Sequence, residues 1–233
     1  MGKLYLIPST LGTESSVYVI PEYVKKIIAE IRFFIVEEER TARRFLRKLD
    51  PGFPIDHSTF YILNEHTGAE DIPAYLNIAD TNNLGLISEA GAPCVADPGS
   101  AIVKMAHQRK IDVIPLVGPS SILLALMASG LNGQHFAFKG YLPVEKNKRC
   151  KQIKLLENHS FLEKQTQIFI EAPYRNQQLL EDLLTSCDPA TLLCIATDLT
   201  LSTEFIKTSS ISEWKKKIPS INKRPSIFLL QKP

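Results

Sequence analysis

The sequence predicts an α/β protein built as two lobes, each a mostly parallel mixed sheet with covering helices. Three observations predict it. Short apolar runs at 4–7, 33–36, 60–63, 84–88, 113–116, 168–170, 192–196 and 227–230 read as buried strands. Amphipathic stretches separate them, and strand–helix alternation is the pattern of parallel strands whose crossovers cover the sheet faces. Finally, 233 residues of which 44% are hydrophobic suffice for one large α/β domain or two lobes of about 115 residues each.

The elements follow in order. Ile20, Val24, Ile27, Ile28 and Ile31 recur at spacings of three and four, an amphipathic helix with Pro21 suited to its first turn. After the second run, Glu37 and Glu38 start a helix, where the helix dipole favours carboxylates and Glu39 lies one turn from Arg43. The third run leads into Asn64-Glu-His66, and the fourth into a loop with two glycines and two prolines that ends at Gly99. Beyond the fifth, Gly118-Pro-Ser-Ser121 opens a small-residue helix ending at Gly130, with a short extended run at 136–138. That joint sets the lobes at 1–116 and 117–233. From 142 to 154 the chain turns polar and basic, as expected of a mobile loop running into a helix.

Composition excludes several classes. With 27 basic and 25 acidic residues the net charge is +2, so no global field draws the protein to nucleic acid or membrane, and an anionic partner must be met locally. Cys94, Cys150, Cys187 and Cys194 have neither disulfide-framework nor zinc spacing, so no metal is expected and the compartment reads as reducing. The opening Met-Gly-Lys-Leu-Tyr-Leu-Ile-Pro has no apolar run of a signal peptide, and no stretch of 18 apolar residues occurs. A cytoplasmic protein is expected.

The chemistry-bearing residues cluster after strands. In a parallel sheet the carboxyl ends lie at one edge, where ligands bind, and glycine admits a ligand close to backbone. Pro8-Ser-Thr-Leu-Gly12, Glu37-Glu-Glu-Arg40, Asn64-Glu-His66 and Ser88-Glu-Ala-Gly-Ala-Pro93 therefore converge on one cleft. Candidate bases there are Glu37, Glu38, His66 and Glu89. The competing reading makes Glu37 and Glu38 first-turn electrostatics and His66 a hydrogen-bonded structural residue. Basic residues gather at Arg40, Arg43, Arg44, Arg47 and Lys48, at Lys139 to Lys154, and at Lys215 to Lys217. The first two groups suit phosphates, the third a solvated helix face.

Five segments together resemble the tetrapyrrole methylase superfamily, and within it the branch that methylates a ribose 2′-hydroxyl of small-subunit ribosomal RNA. Leu4-Tyr-Leu-Ile-Pro-Ser-Thr-Leu-Gly12 is similar to that branch's opening Pro-Thr-Pro-Ile-Gly-Asn segment, and Ser88-Glu-Ala-Gly-Ala-Pro93 with Asp97-Pro-Gly99 to its Ser-Asp-Ala-Gly-Thr-Pro loop. Pro115-Leu-Val-Gly-Pro-Ser-Ser121, Phe138-Lys-Gly-Tyr-Leu-Pro143 and Glu171-Ala-Pro-Tyr-Arg175 resemble its later motifs in the right order. The resemblance implies S-adenosylmethionine held between two lobes of a homodimeric enzyme with a ribosomal RNA substrate; the competing readings are a small-molecule methyltransferase of the tetrapyrrole type and a non-catalytic relative that binds cofactor or RNA. It maps cofactor contacts onto Pro8, Gly91, Ala92, Pro93, Ala96, Ser120, Ser121 and Ala172. Glu38, His66 and Glu89 are then candidates for catalysis, and Glu37, Arg40 and Arg175 for substrate binding. The sequence departs from the pattern at 36–40 and 196–200, and it ends just after the last expected strand, where longer members of the branch continue.

Overall fold

The computed structural model describes residues 2–12, 17–64, 66–68 and 70–233. They form two compact units, Met1–Ser120 and Ser121–Pro233. The division lies at Ser120, against 116 read from the sequence.

The first unit is β1 (Leu4–Ile7), α1 (Glu22–Glu30), β2 (Phe33–Val36), α2 (Glu39–Leu49), β3 (Thr59–Ile62), α3 (Ile72–Leu76), β4 (Leu84–Ile87), α4 (Gly99–Gln108) and β5 (Val113–Pro115). Its sheet runs β3-β2-β4-β1-β5, and every neighbouring pair is parallel. Strand alternation sends Ile7, Phe34, Val36 and Ile87 to one face, where Val24 and Ile28 of α1 and Ala42, Phe45 and Leu46 of α2 cover them. Leu4, Ile35, Leu84 and Leu86 face the other way, under Ile72 and Leu76 of α3 and Ile102 and Ala106 of α4. Each valine, leucine, isoleucine or phenylalanine side chain so buried stabilises the unit by roughly 1.5–3 kcal/mol.

The second unit is α5 (Ser121–Ser129), β6 (Phe136–Tyr141), α6 (Lys146–Glu163), β7 (Thr166–Ile170), α7 (Asn176–Ser186), β8 (Leu192–Thr197), β9 (Phe205–Ser210), α8 (Ile211–Lys216) and β10 (Ser226–Gln231), in the order β6-β7-β10-β8-β9. Here the expectation of a mostly parallel sheet needs correcting: β6 and β7 pair parallel, while the β7–β10, β10–β8 and β8–β9 pairs are antiparallel. The physical reason is where the last strand goes. β6, β7 and β8 all run one way, as helical crossovers require, but β10 inserts between β7 and β8 in the opposite sense. β9 has no counterpart among the expected strands, because Phe205-Ile-Lys-Thr-Ser-Ser210 is a half-exposed edge strand without an apolar run.

The stretch 142–154, expected as a mobile loop running into a helix, is helical from Lys146 onward, which leaves only a short entry. A buried arginine anchors its short entry. Arg149 is 1% exposed; its Nε donates to Asp182 Oδ2 at 2.8 Å, and its Nη1 donates to the carbonyls of Pro143 (3.3 Å) and Val144 (2.5 Å). The ion pair ties α6 to α7, and the carbonyl contacts fix the turn before α6. Removing one partner strands a buried charge, which costs far more than replacing both. Asp182→Ala is expected to lower unfolding free energy by about 3–5 kcal/mol, and the double change Arg149→Met/Asp182→Leu to recover most of it, as read by urea denaturation. Equal losses in both variants would contradict this account.

Candidate active site

The strand order of the first unit fixes where a ligand site can form. From β1 the chain crosses to β2 on one side of the sheet order, whereas from β4 it crosses to β5 on the other. α1 therefore covers one face and α4 the other, and the loops after β1 and β4 diverge at a topological switch point. Those loops are 8–12 and 88–98, the glycine- and proline-bearing segments singled out in the sequence.

They are joined through backbone. Ser9 N–H donates to the Gly91 carbonyl at 2.9 Å, and the buried Ser88 Oγ donates to the same oxygen at 2.8 Å. Gly91 has φ +74, and a Cβ there would lie 2.9 Å from Leu11 Cδ2 and 3.3 Å from the Pro119 carbonyl oxygen. The left-handed conformation favours glycine, and a side chain there would press on Leu11 and the Pro119 carbonyl. Further on, Cys94 (φ 68) and Ala96 (φ 63) are also left-handed, which is costly for residues with a Cβ. Asp97 stabilises the bend: its carboxylate accepts from Cys94 N–H and from Gly99 N–H, each at 2.8 Å.

Pro8 and Pro93 are buried, Ala92 and Ser120 half-buried, and Ala96 exposed. Gly118 packs flat on Pro8, since a Cβ would come within 2.2 Å of its Cγ. One polar atom stands out: Ser9 Oγ is buried without a hydrogen-bond partner, beside the Gly91 carbonyl that Ser9 N–H binds. A buried hydroxyl lacking a partner costs free energy that a polar ligand can recover. Small residues, rigid prolines and this hydroxyl fit a compact polar cofactor, and the composition of the turn suits a sulfonium, with no lysine in 88–99. Cys94 is no nucleophile here, because burial pushes its thiol up to about 11, with Asp97 adding to the effect.

The expected convergence of carboxylates holds for Glu37 and Glu89. Glu89 N–H donates to Glu37 Oε1 at 3.3 Å. Burial raises the Glu37 pKa first and Asp97 adds to it, against the lowering effect of that hydrogen bond. Burial likewise raises Glu89, followed by repulsion from Glu37, with Thr41 lowering it. Behind them a cavity of about 10 Å³, lined by Glu37, Leu63, Pro93 and Asp97 among others, has room for about one water.

The other candidates are placed differently. Glu38 caps α2, accepting from Arg40 N–H at 3.0 Å, and Glu39 pairs with Arg43 Nε at 2.7 Å across one turn. Arg40 is exposed on α2. His66 lies exposed in the turn after β3, its N–H donating to Asn64 Oδ1 at 2.9 Å. In the second unit Ser121 begins α5, and Ala172 follows β7 with its N–H on Glu171 Oε1 at 2.8 Å. Arg175 is held by Glu171, Nε at 3.0 Å and Nη2 at 2.5 Å, a bond that keeps its guanidinium firmly charged. Ser9 and Asp97 were not among the residues singled out. Asp97-Pro-Gly99 carries the signal of an aspartate accepting from nearby backbone, whereas a buried hydroxyl without a partner has no sequence signal.

No family model matches the chain. Ribosomal RNA small subunit methyltransferase I of Escherichia coli O157:H7 is 27% identical over 99% of this chain and 78% of its own length. The protein of the same name from Vibrio cholerae is 29% identical over 90% of this chain and 69% of its own. Among solved structures, methyltransferase CobJ superposes with a TM-score of 0.66 at 16% identity, covering 99% of this chain and 94% of that one. The chain has the fold of the tetrapyrrole methylases. Uroporphyrin-III C-methyl transferase from Thermus thermophilus, complexed with S-adenosylhomocysteine, shares it with a TM-score of 0.58 at 15% identity over 99% of this chain and 98% of that chain. Within the tetrapyrrole-methylase fold of this chain, the loops after β1 and β4 are the ones that the switch point brings together.

The carboxylate pair generates a prediction. Because each folded-state pKa is raised, the pair stabilises the fold least at high pH: its favourable contribution is present below the unfolded value and is lost as pH rises through the folded values. Glu37→Gln is expected to bring the Glu89 titration down toward the ordinary carboxylate range and to raise thermal stability at neutral pH, as read by carbon-13 NMR titration and calorimetry. An unmoved Glu89 titration would mean the two do not interact.

Proposed function

We propose that the chain is an S-adenosylmethionine-dependent methyltransferase that methylates a ribose 2′-hydroxyl of small-subunit ribosomal RNA. The observation that carries the reading is similarity along nearly the whole chain to proteins named for small-subunit ribosomal RNA methylation. The solved neighbours named for uroporphyrin or cobalt-precorrin methylation share the fold at 12–16% identity, which supports the architecture rather than their acceptors. The same reading makes the protein a cytoplasmic homodimer. Among the described residues no helix is long and apolar enough to cross a membrane.

Pro8, Gly91, Ala92, Pro93, Ala96 and Ser120 are proposed to hold the cofactor, as are Ser121 and Ala172 of the second unit, with Ser9 Oγ as a further donor. When bound, S-adenosylmethionine supplies a methyl group on a cationic sulfonium. The protein's task is to align the hydroxyl, exclude water and take up its proton. Glu89 is the proposed base: its side chain stands at the loop surface, and burial together with Glu37 raises its proton affinity. Glu37 acts through it and toward the substrate. Glu38 is engaged as the α2 cap and His66 lies one strand further out, so they rank behind Glu89. Arg40 and Arg175 are proposed to meet the RNA backbone.

Two measurements test this. Calorimetric titration is expected to show wild-type protein binding S-adenosylmethionine and S-adenosylhomocysteine, and Gly91→Arg binding neither while a thermal melt reports it folded. Transfer of labelled methyl to small ribosomal subunits or their RNA is expected to fall about 10²- to 10⁴-fold in Glu89→Gln, with S-adenosylhomocysteine affinity retained. Undiminished transfer in that variant removes Glu89 as base; binding of cofactor with no transfer to either RNA substrate removes the RNA reading.

A further inference from the structure

The carboxyl edge of β7 in the second unit carries a feature that the cofactor and base assignments leave unused. Tyr174 is 65% exposed, and Tyr141, at the end of β6, is 57% exposed. Parallel pairing of β6 with β7 sets Tyr141 opposite Ile170, directly before the Glu171–Arg175 segment. β10 runs antiparallel to β7, so the residues entering it reach the same edge, and Lys223 N–H donates to the Pro173 carbonyl at 2.9 Å. The side chain of Lys223 is exposed, on a backbone with φ 60.

Exposed tyrosines are commonly free to change rotamer, but Tyr174 is held. The Arg175 guanidinium lies 5.2 Å from its ring centroid, and Arg175 Nη1 donates to its hydroxyl at 3.2 Å. That guanidinium is itself fixed, because its Nε and Nη2 donate to Glu171, whose side chain is fully buried. A buried carboxylate thus orients an arginine, which orients an exposed aromatic ring. Ordering a side chain before binding lowers the entropy that binding must overcome. Three of the guanidinium's five N–H groups are engaged in this way, which leaves two for an anion.

We propose that Tyr174, braced by Arg175 and flanked by Tyr141 and Lys223, is a stacking platform for a base of single-stranded RNA, with Lys223 and the outer face of Arg175 meeting its phosphate. An oriented ring and an arginine plane side by side are what unpaired bases stack on, and every base offers such a face. The cation against the ring and the exposed lysine at the same edge suit an anionic partner better than an apolar protein surface. Tyr174 is a binding residue in this account and Glu171 a positioning one. The platform rests on the RNA reading above.

Fluorescence anisotropy of the full chain with a labelled single-stranded RNA of mixed sequence tests the platform. Tyr174→Ala is expected to weaken binding about 10- to 100-fold, and Tyr174→Phe, which keeps the ring, to stay within about threefold of wild type. Lys223→Ala is expected to lower the slope of log affinity against log salt by about 1. A thermal melt of each variant, equal to wild type, excludes unfolding. Wild-type binding that Tyr174→Ala leaves unchanged overturns the platform and leaves the RNA reading intact. If the wild type binds no RNA, both are overturned.

Discussion

One backbone hydrogen bond, from Ser9 N–H to the Gly91 carbonyl, joins the two loops on which the candidate site depends. It exists because β1 and β4 are neighbours whose connections leave toward opposite faces, so their loops open away from one another and meet at a single point. Pro8, Gly91, Ala92, Pro93 and Ala96, proposed for the cofactor, lie on those loops. The closeness is possible because position 91 lacks a side chain and can adopt a left-handed backbone. Downstream, the Asp97 carboxylate accepts from the N–H groups of left-handed Cys94 and of Gly99, closing the bend that also contains left-handed Ala96.

The carboxylates at the same edge illustrate how one short segment divides its labour. Glu37, Glu38 and Glu39 are consecutive, and each has a different task. Glu39 pairs with Arg43 on the solvent side of α2, Glu38 caps that helix, and Glu37 turns back to Glu89. The strand-to-helix transition separates them, because Glu37 lies in the connection after β2, Glu38 is the extended N-cap and Glu39 opens the helix. The helix-start reading of this cluster thus describes Glu38 and Glu39, whereas Glu37 faces Glu89.

Much of this was legible in the sequence. The five strands of the first unit follow from apolar runs, and their parallel arrangement from the helices between them, so the edge at which Pro8, Glu37, His66 and Glu89 gather could be named in advance. Periodicity reports local burial, not strand order, and three features lie beyond it. The insertion of β10 between β7 and β8 depends on long-range pairing. Strand β9 is an edge whose polar residues carry no apolar alternation. The burial of Arg149 against Asp182 fixes the helix start, whereas the basic stretch 139–154 reads as a phosphate-facing loop entering a helix. The hierarchy among Glu37, Glu38, His66 and Glu89 was equally hidden, since it rests on which side chain faces which.

The central place of β10 has a consequence for how the second unit is made. β7 and β8 both bond to β10 and not to each other, so neither gains its inner partner until the chain has been synthesised through Gln231. The first unit, whose strands all lie within 4–115, meets no such delay. During translation the amino-terminal half can therefore assemble while the carboxyl-terminal half waits with two strand edges exposed. Loss of a few residues at 226–231 would split that sheet down its middle rather than trim its border.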